Sequence, residues 1–349
     1  MRTRRVPGGH VVVTGAAGFI GSHLAEALLA EGRHVLGVDR RDPASSRTAA
    51  ANLEFCLAAP GFTFIPGDLN QLSLEPLVEG ADTVFHLAGV PGVQPPWGVE
   101  FCDYAMSNVV ATQRLADACV RARVRRLVVA SSSSVYGNVG RGMLSEDGPA
   151  RPASSYGATK LAAERLCLAH AERPDAATGV VALRYFTVYG PRQRADMLIH
   201  RVLRAALDGI PIRVHGDGSQ RRDFTYVEDV VAATVTAGRI PAGAEVVNVG
   251  GGYGSTSILD VVATVERLTG RSVRVEHGPA CAGDVTETRA DPARALAVLG
   301  WQPRTTLAQG IAAQLGWLTR QAPTLTGARR VGLQTVSPWS SREMSTPRS

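Results

Sequence analysis

The segment Ser155-Tyr156-Gly-Ala-Thr-Lys160 carries the two residues of the chain with the clearest chemistry. Tyr156 and Lys160 are four positions apart, so on a helix they share one face. A free tyrosine has a pKa of about 10, too high for a base at neutral pH, and a neighbouring ammonium lowers it by favouring the phenolate. The spacing therefore predicts a tyrosine that takes a proton from a substrate hydroxyl, although the same spacing also occurs on ordinary exposed helices.

Lys160 is the only lysine among the 37 Lys and Arg residues of the chain. A compact ammonium whose pKa shifts readily is a property that arginine does not supply, which favours a functional role for Lys160. Upstream, an apolar run predicts a buried strand that ends in the four serines Ser131 to Ser134. Hydroxyls at that strand end can bond a substrate oxygen while Tyr156 takes its proton, and a plain serine-rich turn is the alternative.

A glycine-rich loop, Thr14-Gly-Ala-Ala-Gly-Phe-Ile-Gly21, follows the first predicted strand and opens a predicted helix. Glycines there allow a tight turn and let the backbone approach a pyrophosphate at the helix N-terminus. The second predicted strand ends in Asp39, whose carboxylate suits both hydroxyls of an adenosine ribose and repels a 2′-phosphate. The pattern predicts NAD rather than NADP, a preference that Arg40 and Arg41 weaken. The residues predicted to bind the cofactor here are Gly15, Gly18, Phe19, Ile20, Gly21 and Asp39.

Two more segments follow predicted strands, Gly67-Asp-Leu69 and His86-Leu-Ala-Gly89. Both are expected at the carboxyl edge of the sheet, where ligands bind in α/β folds. Asp68 is expected to accept a hydrogen bond from the adenine amino group, with a simple turn aspartate as the alternative. The further cofactor contacts predicted from these segments are Asp68, Leu69, Leu87, Ala88 and Gly89.

Short apolar runs alternate with helical periodicity through the first half of the chain, which predicts βαβ units and a doubly wound α/β fold with a parallel sheet. The 349 residues exceed what one core usually holds, so a second lobe is expected. We predict a dinucleotide-binding domain over residues 1–185, which the strand near residues 246–249 can also join, a substrate-binding lobe over 186–320, and a disordered tail over 322–349. The predicted strands are His10–Thr14, His34–Asp39, Thr63–Pro66, Thr83–Leu87, Leu127–Ser131 and Gly179–Arg184, and the predicted helices are Ser22–Ala30, Asn108–Ala122, Tyr156–Ala171, Met197–Leu207 and Ser257–Thr269.

Composition argues against several function classes. The net charge of +6 comes from scattered arginines and only 5% of residues are aromatic, so no nucleic-acid partner is expected, and an anionic small substrate explains the excess as well. Apolar runs are too short for a membrane span. Five widely spaced cysteines predict neither a metal site nor disulfides and fit a reducing cytoplasm. A basic start, Met1 to Arg5, is typical of a signal peptide, but the glycines behind it favour a buried strand.

In this order, the glycine loop, the acidic strand end, the serine cluster and the Tyr156–Lys160 pair resemble the extended short-chain dehydrogenase/reductase superfamily. The resemblance runs from Val11 to Trp317 and is to the NAD-dependent nucleotide-sugar epimerase/dehydratase branch. It implies a Rossmann-type sheet, a smaller C-terminal α/β lobe, bound NAD and a homodimer. It also implies Ser132 as the catalytic hydroxyl, Tyr156 as the base, Lys160 as its modulator and nicotinamide-ribose ligand, and Asn108 near the cofactor.

The C-terminal half resembles the part of this family that holds the nucleotide sugar. Within His215–Asp229 the resemblance places Arg222 on a phosphate, where a planar guanidinium binds two oxygens, although adjacent arginines in a loop are often only solvated. Family members usually carry Arg or Gln at the position of Cys281, and Arg289 is the replacement we expect for that contact.

The segment Arg184–Met197 and the four serines are most similar to UDP-glucuronate 4-epimerases. This similarity implies that Ser133, Ser134 and Thr187 surround the sugar carboxylate and that Arg194 orders the loop beside it. UDP-glucuronate decarboxylases typically carry Glu at the position of Ser134 and Arg near Thr288, and the dTDP-glucose 4,6-dehydratases carry Asp-Glu at Ser133 and Ser134.

These departures favour C4 epimerisation of a UDP-sugar, most of all UDP-glucuronate to UDP-galacturonate through a 4-keto sugar. Decarboxylation of UDP-glucuronate is one alternative. A catalytically silent NAD-binding regulatory protein is another, because a fold does not fix a function.

Overall fold

Thirteen strands form within the part of the chain that the computed structural model describes, residues 9–92, 101–140, 142–241, 243–280 and 285–321. The first six of these strands in chain order belong to the central sheet. The strands are β1 (Val11–Thr14), β2 (Val35–Asp39), β3 (Phe62–Pro66), β4 (Thr83–His86), β5 (Arg126–Ser132), β6 (Gly179–Tyr185), β7 (Thr187–Tyr189), β8 (Ile212–His215), β9 (Arg221–Arg222), β10 (Phe224–Tyr226), β11 (Ala244–Val249), β12 (Thr256–Ser257) and β13 (Val275–Gly278).

Eleven α-helices connect and cover these strands in the described ranges. Between the fourth and fifth the chain stays helical through a π-helical stretch, Ala105–Val110, and a single 3-10 turn, Ser133–Val135, follows β5. The helices are α1 (Phe19–Ala30), α2 (Arg47–Ala58), α3 (Glu75–Val78), α4 (Phe101–Tyr104), α5 (Ala111–Arg121), α6 (Ser155–Ala171), α7 (Leu198–Asp208), α8 (Val227–Ala237), α9 (Ile258–Thr269), α10 (Ala293–Leu299) and α11 (Leu307–Gln321).

The central sheet has seven strands in the order β11-β6-β5-β4-β1-β2-β3, and every pairing in it is parallel. β1, β5 and β6 are buried along their whole length, because helices cover both faces of the sheet. The strand order reverses between β1 and β4, and ligands of such sheets bind in the crevice at that point. The predicted Rossmann-type doubly wound fold is confirmed.

The second half of the chain returns to this sheet twice. β11 pairs with β6, as the run Val246–Val249 suggested. α8 packs against α1, and Val227, Val230 and Ala233 share one core with Leu24 and Leu28. Sequence periodicity did not single out α8, whose apolar residues cover most of its circumference rather than one stripe. The two halves of the chain therefore interleave instead of meeting at one boundary.

The smaller lobe contains three two-stranded sheets, β7 with β10, β9 with β12, and β8 with β13. The predicted and observed ends of the strands and helices differ by a few residues. The difference that bears on the site is at β5, which continues to Ser132 instead of ending at Ser131. No helix in the described ranges is both long and apolar enough to cross a bilayer, and those ranges hold no cluster of three His, Cys, Asp or Glu side chains arranged for a metal ion. The predictions for residues 1–8, Cys281 and residues 322–349 concern positions outside the described ranges.

Candidate active site

Helix α6 places Tyr156 at its first turn and Lys160 one turn later. The helix starts there because the Ser154 side chain caps it, accepting a hydrogen bond of 3.1 Å from the backbone N–H of Gly157. A side chain at Gly157 would overlap the carbonyl oxygen of Ser134, so glycine lets α6 lie directly against the turn after β5. This close approach brings the phenol of Tyr156 to the serine cluster.

Ser132 is the last residue of β5, and its hydroxyl lies close enough to the Tyr156 phenol to lower the pKa of that phenol. The same oxygen accepts from the backbone N–H of Ser134 and donates to the Ser134 hydroxyl, each at 3.2 Å. The turn Ser133–Val135 therefore fixes the direction of the Ser132 side chain. Of the serines, the structure joins Ser132 to Tyr156, as the resemblance implied, and places Ser133 and Ser134 beside that pair.

Burial raises the pKa of the Tyr156 phenol above its ordinary value. The nearby Ser132 hydroxyl and the charge of Arg194 lower this pKa, and burial outweighs them. From the sequence, Lys160 and the positive ring of an oxidised nicotinamide cofactor are together expected to lower this pKa. The chain's own residues raise it, because removing the phenolate from water costs more than these neighbours offset. The protein's own residues therefore hold Tyr156 as a neutral phenol.

Lys160 is partly buried, and burial lowers the pKa of its ammonium to about 8. Cys167 and, to a smaller extent, Glu164, both on α6, raise that pKa and so favour the charged form. Lys160 consequently loses its proton near pH 8 rather than near 10 and is still charged at neutral pH.

A hydrogen-bonded chain ties the first strand to the helix that contains Asn108. His86 bonds the hydroxyls of Thr14 and Thr112 at 2.7 and 2.8 Å. Because Thr112 donates its own proton to the carbonyl of Asn108, it accepts from Nε2 of His86, and Nδ1 accepts from Thr14. Burial lowers the pKa of His86 to about 3, so the ring stays neutral.

Asn108 lies in the π-helical stretch with its amide fully engaged. Its oxygen accepts from the backbone N–H of Val90 at 2.8 Å, and its nitrogen donates to the Val90 carbonyl and to the Thr159 hydroxyl at 3.1 Å. Thr159 precedes Lys160 on α6. Asn108 therefore joins the loop after β4 to the helix of Tyr156, and its contact with a cofactor stays a prediction.

The loop between β1 and α1 fits a dinucleotide. Gly15 has a φ of +72°, and a side chain there would come within 3 Å of the backbone of Leu87 and Ala88, while a side chain at Gly21 would overlap the Gly15 carbonyl oxygen. α1 begins without any side-chain cap and without an acidic residue in its first turn. The backbone N–H groups there, including those of Phe19 and Ile20, are thus available to an anion such as a pyrophosphate.

Asp39 stands at the end of β2 beside this loop. Its carboxylate accepts from the backbone N–H groups of Ala17 and Arg41 at 3.1 and 2.9 Å. The Arg41 guanidinium forms an ion pair with the same carboxylate at 3.3 Å, and that side chain is 43% exposed. A ribose would bind Asp39 only by sharing the carboxylate with Arg41 or displacing it. The ribose contact stays a prediction.

The other predicted cofactor residues lie at the same sheet edge. Asp68 Oδ1 accepts from the backbone N–H of Asn70 at 2.8 Å, so this carboxylate also closes a turn. The carbonyl of Leu69 accepts from Arg114. Ala88 donates its N–H to the Thr14 hydroxyl, and Gly89 packs against the Asn108 amide. The segments after β3 and β4 that were predicted to bind the cofactor therefore lie at this edge of the sheet.

The loop after β7 approaches the Tyr156 phenol. Arg194 is close enough for its charge to act on Tyr156, and it forms a two-pronged ion pair with Asp196 at 2.9 and 2.7 Å. The sequence reasoning did not single out Asp196. Thr187 begins β7, two residues after Tyr185, the β6 residue that pairs with Ser132. Both elements thus border the serine cluster.

The two predicted phosphate ligands lie on neighbouring segments. Arg222 belongs to β9, and its side chain donates to the carbonyl of Arg221 at 2.8 Å. Arg221 pairs with the segment around Glu287 through backbone hydrogen bonds, which brings Arg289 to the same part of the lobe. Arg289 is exposed. Thr288 is buried, and its hydroxyl accepts from the backbone N–H of Asp223 at 3.4 Å, so it faces inward rather than toward a ligand.

A buried ion pair beneath the site escaped the sequence reasoning. Arg184 and Glu164 are only 1% and 0% exposed and are joined by two hydrogen bonds of 2.6 and 3.0 Å. Arg184 also donates to the Tyr136 hydroxyl, which donates to Asn248. The sequence feature that could have predicted this pair is an arginine at the end of an apolar strand together with a glutamate on the buried face of a helix. Burying either charge without a partner is energetically unfavourable.

Comparisons with known proteins agree with this geometry. Residues 11–250 match the model of the NAD dependent epimerase/dehydratase family. An uncharacterized UDP-glucose epimerase, YtcB of Bacillus subtilis strain 168, is 41% identical over 88% of this chain and 98% of its own. MoeE5, solved with NAD and either UDP-glucose or UDP-glucuronic acid, is 49% identical over 90% of this chain and all of its own, with TM-scores of 0.82 and 0.83. A UDP-glucuronic acid 4-epimerase from Bacillus cereus, solved with UDP-glucuronic acid and NAD, is 38% identical over 89% of this chain and 99% of its own, with a TM-score of 0.84.

Proposed function

Because the chain belongs to the NAD dependent epimerase/dehydratase family, we propose that it inverts C4 of a UDP-sugar and interconverts UDP-glucuronate and UDP-galacturonate. The observation that carries the proposal is the close approach of the Ser132 hydroxyl to the Tyr156 phenol at the carboxyl edge of the sheet, beside a loop that fits a dinucleotide. The two solved relatives that bind UDP-glucuronic acid support the choice of sugar.

Tyr156 is the group that moves the proton. It takes the proton of the sugar O4 hydroxyl in the first half of the reaction and gives it back in the second, so it must exist in both forms. Ser132 forms a hydrogen bond with the sugar O4 and so holds that oxygen in position beside Tyr156. When bound, NAD+ supplies the hydride acceptor and a positively charged ring. Lys160, with its lowered pKa, supplies the second positive charge of the site.

The surroundings of the predicted carboxylate site favour epimerisation over loss of carbon dioxide. Oxidation at C4 produces a β-keto acid, which loses carbon dioxide when the bond to the carboxylate aligns with the ketone π system. Ser133, Ser134 and Thr187 bring hydroxyls rather than an acid, and Thr288 faces inward. Hydrogen bonds to the carboxylate at these positions hold that bond near the ring plane, so the acid group survives while the ketone exists.

Purified protein incubated with UDP-glucuronic acid should convert it into UDP-galacturonic acid, and proton NMR of the sugar ring will follow the products. We expect an equilibrium mixture of two UDP-hexuronates with no release of carbon dioxide. A UDP-pentose together with carbon dioxide would replace the epimerase assignment by a decarboxylase. Turnover of UDP-glucose but not of UDP-glucuronic acid would overturn the proposed sugar.

We further propose that two copies of the chain pair through the helical run Phe101–Arg121 and α6. Phe101, Met106 and Val110 lie on this run as exposed large apolar side chains, which supports an interface there. Sedimentation should give about twice the 36.8 kDa of one chain, and Met106→Glu should shift the protein to the monomer. Leu296→Glu, at an equally exposed apolar position on α10, is the matched control and should leave the dimer intact. A wild-type monomer would contradict the proposal.

We propose a cytoplasmic location, because three buried cysteines of the chain are free thiols. Cys56, Cys119 and Cys167 are free and buried, and burial holds the pKa of each thiol well above its ordinary value. Thiols in this state need neither oxidation nor a metal to be stable, which fits a reducing compartment.

A further inference from the structure

Glu164 stands one turn after Lys160 on α6, on the same face of that helix. Residues four apart on a helix are neighbours, and the charge of Glu164 raises the pKa of the Lys160 ammonium, as Cys167 also does. Glu164 is fully buried, and a buried carboxylate persists only where its charge is compensated and its oxygens are hydrogen-bonded. Its position is therefore specified by the structure rather than by solvent.

The two oxygens of Glu164 are held by other elements of the sheet. Oε2 accepts from the hydroxyl of Ser131 at 2.6 Å and from Nε of Arg184 at 3.0 Å, and Oε1 accepts from Nη2 of Arg184 at 2.6 Å. Ser131 immediately precedes Ser132 on β5. One carboxylate thus ties the helix that carries Tyr156 and Lys160 to the strand end that carries the Ser132 hydroxyl.

The charges around Lys160 come from four elements. On α6 the titratable neighbours are Glu164, Cys167 and Tyr156, of which the thiol and the phenol stay neutral because burial raises their pKa values. From β4, His86 is neutral, with a pKa of about 3.

From β6, Arg184 is bound to Glu164 itself. On α5, Cys119 lies behind Cys167, and its pKa is also raised. Among these groups Glu164 is the one negative charge.

We propose that Glu164 is a positioning residue for the reaction, which keeps Lys160 in its ammonium form and locks the Ser132 strand end to the helix of Tyr156. The proposal rests on the proposed epimerase function, since that function gives Lys160 its role. Glu164 itself lies beneath the site and acts through Lys160 and Ser131. Arg184 balances the charge of this carboxylate through two hydrogen bonds.

The composition of the chain allows a direct test, because Lys160 is the only lysine. Protein grown with lysine carrying 13C at Cε gives a single lysine resonance, whose chemical shift reports the protonation of Lys160 without any need for activity. In the wild type we expect a titration near pH 8. In Glu164→Gln, removal of the negative charge disfavours the ammonium, so the titration should move down by about one pH unit or more.

Two variants separate charge from shape. Glu164→Asp keeps the charge and disturbs the geometry, so its titration should stay near that of the wild type. Glu146→Gln neutralises another buried carboxylate of the same region, one that accepts from the backbone N–H of Asn248 at 2.7 Å, and should leave the titration unchanged. If Glu164→Gln does not fold, the double variant Glu164→Gln with Arg184→Met removes both charges of the pair and is titrated in its place.

The pH dependence of turnover of UDP-glucuronic acid completes the test. In Glu164→Gln the fall of kcat/KM on the alkaline side should move to lower pH together with the lysine resonance, whereas a merely structural role would lower kcat/KM equally at every pH. An unmoved lysine titration in folded Glu164→Gln overturns the inference. A shifted titration in a protein that does not turn over UDP-sugars overturns the proposed function and leaves the charge relation of Glu164 and Lys160 standing.

Discussion

Replacing Tyr156 by Phe should lower kcat for UDP-glucuronate by about 10²- to 10⁴-fold while the protein stays folded and keeps its cofactor. The change removes one oxygen atom, the one that Ser132 holds and that takes and returns the substrate proton. The remaining ring keeps its place against the turn Ser133–Val135 because Gly157 fixes the approach of α6. Steady-state kinetics with product quantification by NMR measures the effect.

Tyr185→Phe is the matched control for this variant. Tyr185 lies on β6 opposite Ser132, is buried, and bonds the Thr234 hydroxyl of α8 at 2.8 Å on the other side of the sheet. Loss of that hydroxyl should lower the free energy of unfolding by about 1 kcal/mol and leave kcat within a factor of about two. If Tyr156→Phe retained more than a tenth of the wild-type kcat, another group would have to carry the proton and the proposed chemistry would be wrong.

Arg184→Met should lower the free energy of unfolding by about 3–5 kcal/mol, a large part of the stability of a typical domain. The methionine fills much of the same volume, but it leaves Glu164 buried with a charge and without its cation. Tyr136 also loses the guanidinium that donates to its hydroxyl and lies 4.8 Å from its ring centre. Urea unfolding followed by far-UV circular dichroism gives the free energy.

The pH dependence of this variant identifies the cause. Without Arg184, folding buries an uncompensated carboxylate, so the folded state favours the neutral, protonated form of Glu164. This cost applies only when the carboxyl is ionised, so the loss of stability relative to the wild type should be larger at pH 8 than at pH 5. Adding Glu164→Leu to Arg184→Met should recover most of the loss, because an apolar pair carries no buried charge. A loss that is the same at both pH values would contradict this account.

Local sequence determined the parts of the protein whose geometry depends on a few adjacent residues. The glycine loop, the acid at the end of β2 and the four-residue spacing of Tyr156 and Lys160 could be read directly, because a tight turn, a strand end and a helix face are set by neighbouring residues. The alternation of strands and helices likewise determined the parallel sheet, and the run Val246–Val249 indicated its return.

Only the tertiary structure decided the electrostatics of the site. Arg184 and Glu164 are 20 residues apart in the chain, Tyr136 and Asn248 are 112 apart, and no local pattern states that they meet. The sequence predicted a phenol made acidic by Lys160, and the structure instead gives a phenol whose pKa is raised, with Ser132 and Arg194 acting against burial. The tertiary structure also shows that the Asp39 carboxylate, predicted to bind a ribose, forms an ion pair with Arg41. A pKa depends on how much water each group loses and on which charges the fold brings near it, and these quantities exist only once distant segments pack together.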